Sequence, residues 1–318
     1  MTTNIRPKKG VLRWLLDSDP SIRWQVMRDL VKEPEDAVTA ERSRVAVEGW
    51  GARLLSLQQE DGNWGGGPWV RQSWASTMET LMQLRELGLD AASAGARKAI
   101  NLVRERSNWG PYHGHSPFFD GEVEPCINGR VLACGAYFGA TSDRLVDRLL
   151  GEQLQDGGWN CDAPESKRSS FNSTLCVLEG LFEYENTGGA NSSVKAARLR
   201  AQEYLTERKL FRSLSTGKVI ERDRKSDRDW REFAFPTRWH YDILWSLDYL
   251  RRAGAVPDER LAEAVDLVAA KRLQNGRWPL GLPYPGTVHF DMEGKRGTAS
   301  RWNTLRALRV LHWYSEKT

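Results

Sequence analysis

The sequence of 318 residues is poor in cysteine and histidine and has no long apolar run. Four cysteines in a chain this long do not make a disulfide framework, so we expect reduced thiols. No apolar stretch approaches the roughly 20 residues of a membrane span. Arg13, Asp17 and Asp19 interrupt the first apolar stretch, which argues against a signal peptide. We therefore expect a cytoplasmic protein without a transmembrane segment.

The sequence also lacks an excess of one charge. Its 46 basic and 42 acidic residues leave a net charge of +4, and the two signs are interspersed. Without a basic stripe, we expect no nucleic-acid partner. The period-two alternation of a β-strand is missing as well. Tryptophan, by contrast, is abundant, with 14 residues against 9 phenylalanines and 8 tyrosines.

A turn that contains glycine and tryptophan recurs three times. Two copies fit Q-x-x-x-G-x-W and a third has arginine in the first place; they are residues 58–64, 153–159 and 272–278. Each copy follows a stretch whose apolar residues recur at three- and four-residue steps, which predicts a helix. These helices are predicted over residues 42–58, 142–153 and 259–271. The glycine marks the helix stop.

Short phrases rich in Ser, Thr, Asn and Trp open a second set of helices. They lie at residues 21–24, 73–77, 125–129, 171–174, 238–242 and 300–304. Helices of the two kinds alternate, and a pair that cannot bury its own apolar face must stack on its neighbours. The sequence therefore predicts an all-α fold, a single (α/α)6 toroid over residues 1–318 with six inner and about six outer helices.

Two long connections interrupt this ring. One covers about residues 208–236 and includes a highly charged stretch at 221–232, and the other is the Gly/Pro-rich segment 279–300. Loops of this length are uncommon unless they are functional or disordered. We predict both as insertions that either cover the site or form plain surface loops.

The Q-x-x-x-G-x-W turn resembles the repeat of the squalene-hopene and oxidosqualene cyclases and the related repeat of protein prenyltransferase β subunits. The resemblance covers nearly the whole chain and implies a central cavity at the N-terminal ends of the inner helices. Class II terpene cyclases carry D-x-D-D, which this sequence does not have, and D-D-x-x-D is missing too. The nearest tetrad, residues 17–20 (DSDP), is predicted as a helix N-cap followed by proline.

Three residues are candidate zinc ligands: Cys126 and His240 near predicted inner-helix starts, and Cys161 in the loop directly after the second glycine–tryptophan turn. Sulfur and imidazole nitrogen are donors that zinc prefers, and such a set leaves one position open. Prenyltransferase β subunits are similar, with zinc on Asp, Cys and His; residues 124–126 offer E-x-C where that family has D-x-C. The alternatives are a buried cysteine for Cys126 and a helix cap for His240.

Other residues at these helix starts are candidates for catalysis and substrate binding. Candidate acid–base residues are Asp120, Glu122, Glu124 and Asp242. Candidate substrate-binding residues are Trp74, Phe119, Asn128, Arg238, Trp239, Tyr241 and Trp302. Cys134 and Cys176 lie in mid-helix among apolar residues and are predicted as core.

These residues favour an enzyme whose substrate is a small molecule. We expect a terpene-cyclase-like or prenyltransferase-like enzyme acting on an apolar molecule in an aromatic cavity with the help of zinc. One alternative is a lyase or hydrolase that uses the carboxylates on a sugar or peptide. The other is a binding scaffold without catalysis. Fold resemblance alone does not decide among them.

Overall fold

The computed structural model describes residues 7–189, 191–221, 229–281 and 283–316. Within these ranges the protein is helical, and its strands are the antiparallel two-residue pair Trp278–Pro279 and Ala299–Ser300. The predicted all-α class is therefore confirmed. Residues 222–228, the centre of the predicted charged stretch, lie outside the described residues.

The described residues form thirteen α-helices. They are α1 (Lys9–Leu16), α2 (Pro20–Val26), α3 (Glu35–Ser43), α4 (Gly49–Ser56), α5 (Thr77–Leu87), α6 (Ala94–Arg106), α7 (Pro125–Phe138), α8 (Asp143–Gly151), α9 (Phe171–Tyr184), α10 (Ser192–Glu207), α11 (Ile243–Arg252), α12 (Ala262–Ala270) and α13 (Arg301–Ser315). Helices α5, α7, α9, α11 and α13 are buried on most faces, whereas α4, α6, α8 and α12 bury one face. The described residues thus show the predicted alternation of two kinds of helix.

The chain divides into two compact units. The first lies within Met1–Glu41, Leu205–Tyr284 and Asp291–Thr318, and the second within Arg42–Tyr204 and Pro285–Phe290. The first contains α1, α2 and α11–α13, and the second contains α4–α9. The single closed toroid stays a prediction. No helix of the described residues is long and apolar enough to cross a membrane.

The three glycine–tryptophan turns have the same internal bonding. Each tryptophan is fully buried, and its indole N–H donates to a carbonyl in the preceding helix at 2.7–2.8 Å. Its backbone N–H donates to a threonine hydroxyl of the next inner helix at 2.9–3.1 Å. The threonines are Thr77, Thr174 and Thr304. The turn glycines have positive φ, between 81° and 100°, which explains why this position is glycine. The motif therefore connects the preceding helix to the next inner helix through the hydrogen bonds of its tryptophan.

One predicted helix is wrong in its extent. Residues 42–58 do not form a continuous helix: Arg44–Ala46 is a short 3-10 turn, and α4 begins only at Gly49. Between them Glu48 is extended, with φ −135° and ψ 158°. An extended residue breaks the chain of i to i−4 hydrogen bonds, and no apolar periodicity reveals such a break.

In the second unit, α7 and α9 pack closely through two glycines. A Cβ placed on Gly129 would lie 2.6 Å from the carbonyl oxygen of Cys176, and one on Gly180 would meet the carbonyl oxygen of Gly129. Buried ion pairs tie these helices to α5: Arg130 donates to Glu79 at 2.6 Å, and Arg85 pairs with Glu179. The two helices are therefore held in one register.

Candidate functional site

The start of α7 is held by the loop before it. Pro125 occupies the first helical position, where its fixed φ suits the helix and its missing N–H costs nothing. The carboxylate of Glu122 accepts the backbone N–H of Glu124 at 2.8 Å. Asn128 accepts the N–H of Glu122 at 2.8 Å and donates to its carbonyl at 3.2 Å. Glu122 and Asn128 therefore fix the loop that presents Glu124.

This arrangement places the Glu124 carboxylate beside the thiol of Cys126. Glu124 is the N-cap residue of α7, but its side chain makes no capping hydrogen bond. The Cys126 thiol donates toward Glu124 Oε2 at 3.6 Å. Cys126 lies in the first turn of α7, as predicted.

Cys161 follows the second glycine–tryptophan turn and lies beside the start of α9. Its N–H donates to Ser173 Oγ at 3.4 Å, and its Sγ lies 3.2 Å from the same oxygen. Ser173 is in the first turn of α9, which Ser170 caps. The sulfur also accepts the backbone N–H of Cys126, and it is a second acceptor, besides Glu124 Oε2, for the single thiol proton of Cys126. It thus lies at the N-terminal ends of two helices.

Glu124, Cys126 and Cys161 form one cluster. A carboxylate oxygen and the two sulfur atoms all lie within 4.8 Å of one another, and the cysteines are half-buried while Glu124 is exposed. The structure thus brings together two predicted zinc ligands and a residue predicted as catalytic. His240 lies in the other compact unit, so its role as a ligand stays a prediction.

The two thiols of the cluster differ in acidity. The hydrogen bond from Cys126 lowers the pKa of Cys161, and the Ser173 hydroxyl acts in the same direction. The same hydrogen bond raises the pKa of Cys126, which keeps its proton, and burial adds to the rise.

The other two cysteines are core residues, as predicted. Cys134 in α7 and Cys176 in α9 have no exposed surface. Burial raises the pKa of each thiol to about 12. They therefore stay protonated at neutral pH.

Glu122 and Asp120 have different surroundings from Glu124. Burial raises the pKa of Glu122, whose carboxylate lies 3.8 Å from His113 Nδ1. Asp120 ends a 3-10 turn and lines a cleft with Arg104 and Phe119. Phe119 packs edge-to-face on Phe118, with 5.1 Å between ring centroids. The acid–base roles of both carboxylates stay predictions.

In the first unit, Asp242 and His240 lie before α11. Asp242 is its N-cap, and its Oδ1 accepts the N–H of Trp245 at 2.7 Å. The helix begins directly after the phrase at 238–242, as predicted. Burial raises the pKa of Asp242 to about 6, against the opposing charge of Arg306. His240 stacks between Trp239 and Tyr284, at centroid distances of 3.7 and 4.1 Å.

Several predicted substrate-binding residues have structural contacts. The Tyr241 hydroxyl donates to the carbonyl of Leu210 at 2.8 Å. Trp302 is 2% exposed and stacks on Phe235. The Trp74 indole donates to the carbonyl of Pro285 at 2.8 Å. Arg238 is buried, with φ +60°. These contacts account for their packing, and their roles in substrate binding stay predictions.

Two features of the second unit were not predicted. The hydroxyl of Ser173 contacts Cys161, whereas the sequence phrase at residues 171–174 predicted only a helix start. The segment Pro285–Phe290, predicted as part of a cover, pairs with Gln72–Trp74 through backbone hydrogen bonds of 2.7 and 3.0 Å. His289 Nε2 lies 2.9 Å from Thr80 Oγ1 on α5. No sequence signal joins residues about 210 positions apart.

Comparison with known proteins gives a fold-level likeness. No family model matches the chain, and no curated protein matches it. Solved structures of the type II terpene cyclase MstE from Scytonema do match. The apo form is 17% identical, with a TM-score of 0.44, covering 92% of this chain and 87% of that chain. A variant with bound geranylgeranyl dihydroxybenzoate is 16% identical, with a TM-score of 0.46 and coverage of 95% and 88%. At these values we carry over no residue role.

Proposed function

We propose that this protein is a terpene-cyclase-like or prenyltransferase-like enzyme that acts on an apolar small molecule. We further propose that Glu124, Cys126 and Cys161 hold a zinc ion for it. The observation that carries this proposal is the cluster itself, with three ligand atoms within 4.8 Å of one another. The cluster lies at the N-terminal ends of two buried helices, where the repeat resemblance implies the chemistry.

The donor set fits zinc in type and in spacing. In tetrahedral coordination, two sulfur atoms bound to one zinc ion at about 2.3 Å lie about 3.8 Å apart. The two sulfur atoms of the cluster lie within 4.8 Å of each other, so a shift of at most about 1 Å would bring them to this spacing. Three protein ligands with a fourth position left open are typical of catalytic zinc sites. The half-buried cysteines and exposed Glu124 leave the cluster open to an ion.

The residues of the chain prepare the ligands. The pKa of Cys161 is lowered, so less free energy is needed to deprotonate this thiol before it binds zinc as a thiolate. Ser173 holds its sulfur from the side of α9, and Glu122 and Asn128 hold the loop that carries Glu124. Bound zinc supplies Lewis acidity toward a thiol, water or carbonyl group.

Elemental analysis of purified protein tests the zinc site. We expect about one zinc per chain in the wild type and its loss in Cys126→Ser and Cys161→Ser. The matched control is Cys134→Ala, which removes a fully buried thiol of the same helix and should keep the zinc. A wild-type protein without stoichiometric zinc, or zinc retained in both serine variants, would overturn the site.

Carboxylate chemistry on a sugar or peptide is the second candidate. It is favoured by Asp242, because a pKa of about 6 suits a general acid near neutral pH. Its Oδ1 already caps α11, so this role falls to Oδ2. Zinc-free wild-type protein that binds such a substrate, with activity lost in Asp242→Asn, would select this candidate. Asparagine is also a good N-cap, so the variant keeps the helix start.

A further inference from the structure

We propose that Cys126 and Cys161 are also a site of reversible oxidation, where a hydroperoxide joins them in a disulfide. The inference deepens the proposed function, because it gives the regulation of the same site. It rests on the proposed function only for its effect on zinc. The disulfide itself needs nothing but the two thiols and the oxidant.

The geometry of the pair carries the inference. The two sulfur atoms lie within 4.8 Å of each other and share a hydrogen bond. Both side chains are half-buried, so a small oxidant reaches them. Cys161 is in a loop, and Cys126 is in the first turn of a helix. Helix ends and loops open more easily than helix middles, which allows the sulfurs to approach.

The two cysteines have unequal partners, which assigns their roles. The Cys161 sulfur accepts the backbone N–H of Cys126 and lies 3.2 Å from Ser173 Oγ. Hydrogen-bond donors at helix N-terminal ends stabilise a negative sulfur, so Cys161 attacks the oxidant. Glu124 Oε2 is the other acceptor for the Cys126 thiol proton and lies 3.6 Å from the sulfur. Glu124 therefore accepts the proton when Cys126 reacts.

The reaction balances with hydrogen peroxide as the oxidant. The Cys161 thiolate attacks one peroxide oxygen, so that an S–O bond forms, the O–O bond breaks and hydroxide leaves, which takes up the proton that the Cys161 thiol released and becomes the first water. The Cys126 sulfur then attacks the Cys161 sulfur. The S–S bond forms, the S–O bond breaks, and hydroxide leaves with the proton that Glu124 received. Two thiols are oxidised, and one peroxide is reduced to two waters.

The test uses the full-length chain freed of metal by a chelator. After treatment with stoichiometric hydrogen peroxide, free thiols are alkylated and peptides are mapped by mass spectrometry. We expect a linked pair of peptides carrying Cys126 and Cys161, lighter by two hydrogens and separated again by dithiothreitol. Cys134 and Cys176 should remain thiols, because they have no exposed surface.

Two variants assign the roles within the pair. In Cys126→Ser, Cys161 has no resolving thiol, so dimedone should trap its sulfenic acid. In Cys161→Ser, Cys126 should give no dimedone adduct, and circular dichroism verifies that both variants are folded. The inference is overturned if folded wild-type protein keeps both thiols or oxidises each one separately without a link.

Zinc analysis of the same samples separates the two proposals. If both hold, zinc-loaded protein releases zinc in step with disulfide formation. A disulfide in a protein that never held zinc supports this inference and removes the zinc site. If the untreated protein contains zinc but forms no disulfide after chelation and oxidation, the zinc site is supported and the oxidation site is overturned.

Discussion

The N-terminal ends and the middles of α7 and α9 make different use of cysteine. At the ends, Cys126 and Cys161 are half-buried beside a carboxylate and a serine hydroxyl. In the middles, Cys134 and Cys176 have no exposed surface. Cys126 and Cys134 share α7, whereas Cys161 lies in the loop beside the start of α9 and Cys176 lies within that helix. The residue type is the same, so the contrast lies in access and in hydrogen-bond donors.

The contrast shows how helix position sets thiol chemistry. In mid-helix the backbone N–H groups donate to carbonyls of the same helix. They are therefore not available to stabilise the thiolate of a buried cysteine. In the first turn the N–H groups are still available, and one of them bonds Cys161. A sulfur beside such a helix end is therefore a candidate ligand or nucleophile, whereas a sulfur in the middle is packing.

The largest expected effect is a difference in native-state alkylation. We predict that in metal-free protein iodoacetamide modifies Cys161 at least about 100-fold faster than Cys134 or Cys176, whose reaction requires opening of the helices. Quantitative peptide mapping over time measures the rates. In denaturant the four cysteines should react at similar rates. Equal alkylation rates for Cys161, Cys134 and Cys176 in the folded protein would contradict this contrast between helix ends and helix middles.

A second prediction concerns the close contact between Gly129, near the start of α7, and Cys176, in the middle of α9. Gly129→Ala would put its Cβ 2.6 Å from the carbonyl oxygen of Cys176, so we expect the free energy of unfolding to fall by about 1–3 kcal/mol. Denaturant unfolding measures it, and alkylation of Cys176 should become faster. The control is Gly151→Ala in α8, where a Cβ meets nothing within 4 Å.

That control should keep or raise stability, by up to about 1 kcal/mol, because alanine favours the helix. If Gly129→Ala behaved like Gly151→Ala, the helices would not be in the tight contact described here.

The smallest expected effect is a shift in the acidity of Cys161. Ser173→Ala removes a hydrogen-bond partner that lowers the pKa of Cys161, so this pKa should rise. In metal-free protein, alkylation of Cys161 would then begin at higher pH than in the wild type. The pH–rate profile measures this, with Ser215→Ala, at an exposed serine, as the control. An unchanged profile would contradict the role of Ser173.

The candidate site shows where sequence reasoning succeeds and where it stops. The phrase at residues 125–129 predicts a helix start at Cys126, and apolar neighbours predict that Cys134 and Cys176 lie in the core. The contact of Ser173 with Cys161 was not predicted, because it depends on how the loop after Trp159 runs. The interruption of the predicted helix at Glu48 was not predicted, because the apolar residues keep a helical spacing across it.

The sequence by itself determined the all-α class, the repeated glycine–tryptophan turn and the alternation of two kinds of helix. These follow from local rules: apolar periodicity, positive φ at glycine and capping at helix starts. Only the tertiary structure decided that Glu124, Cys126 and Cys161 meet. Their meeting depends on the close packing of α7 and α9 at Gly129 and Gly180, which fixes distances between residues about 35 positions apart.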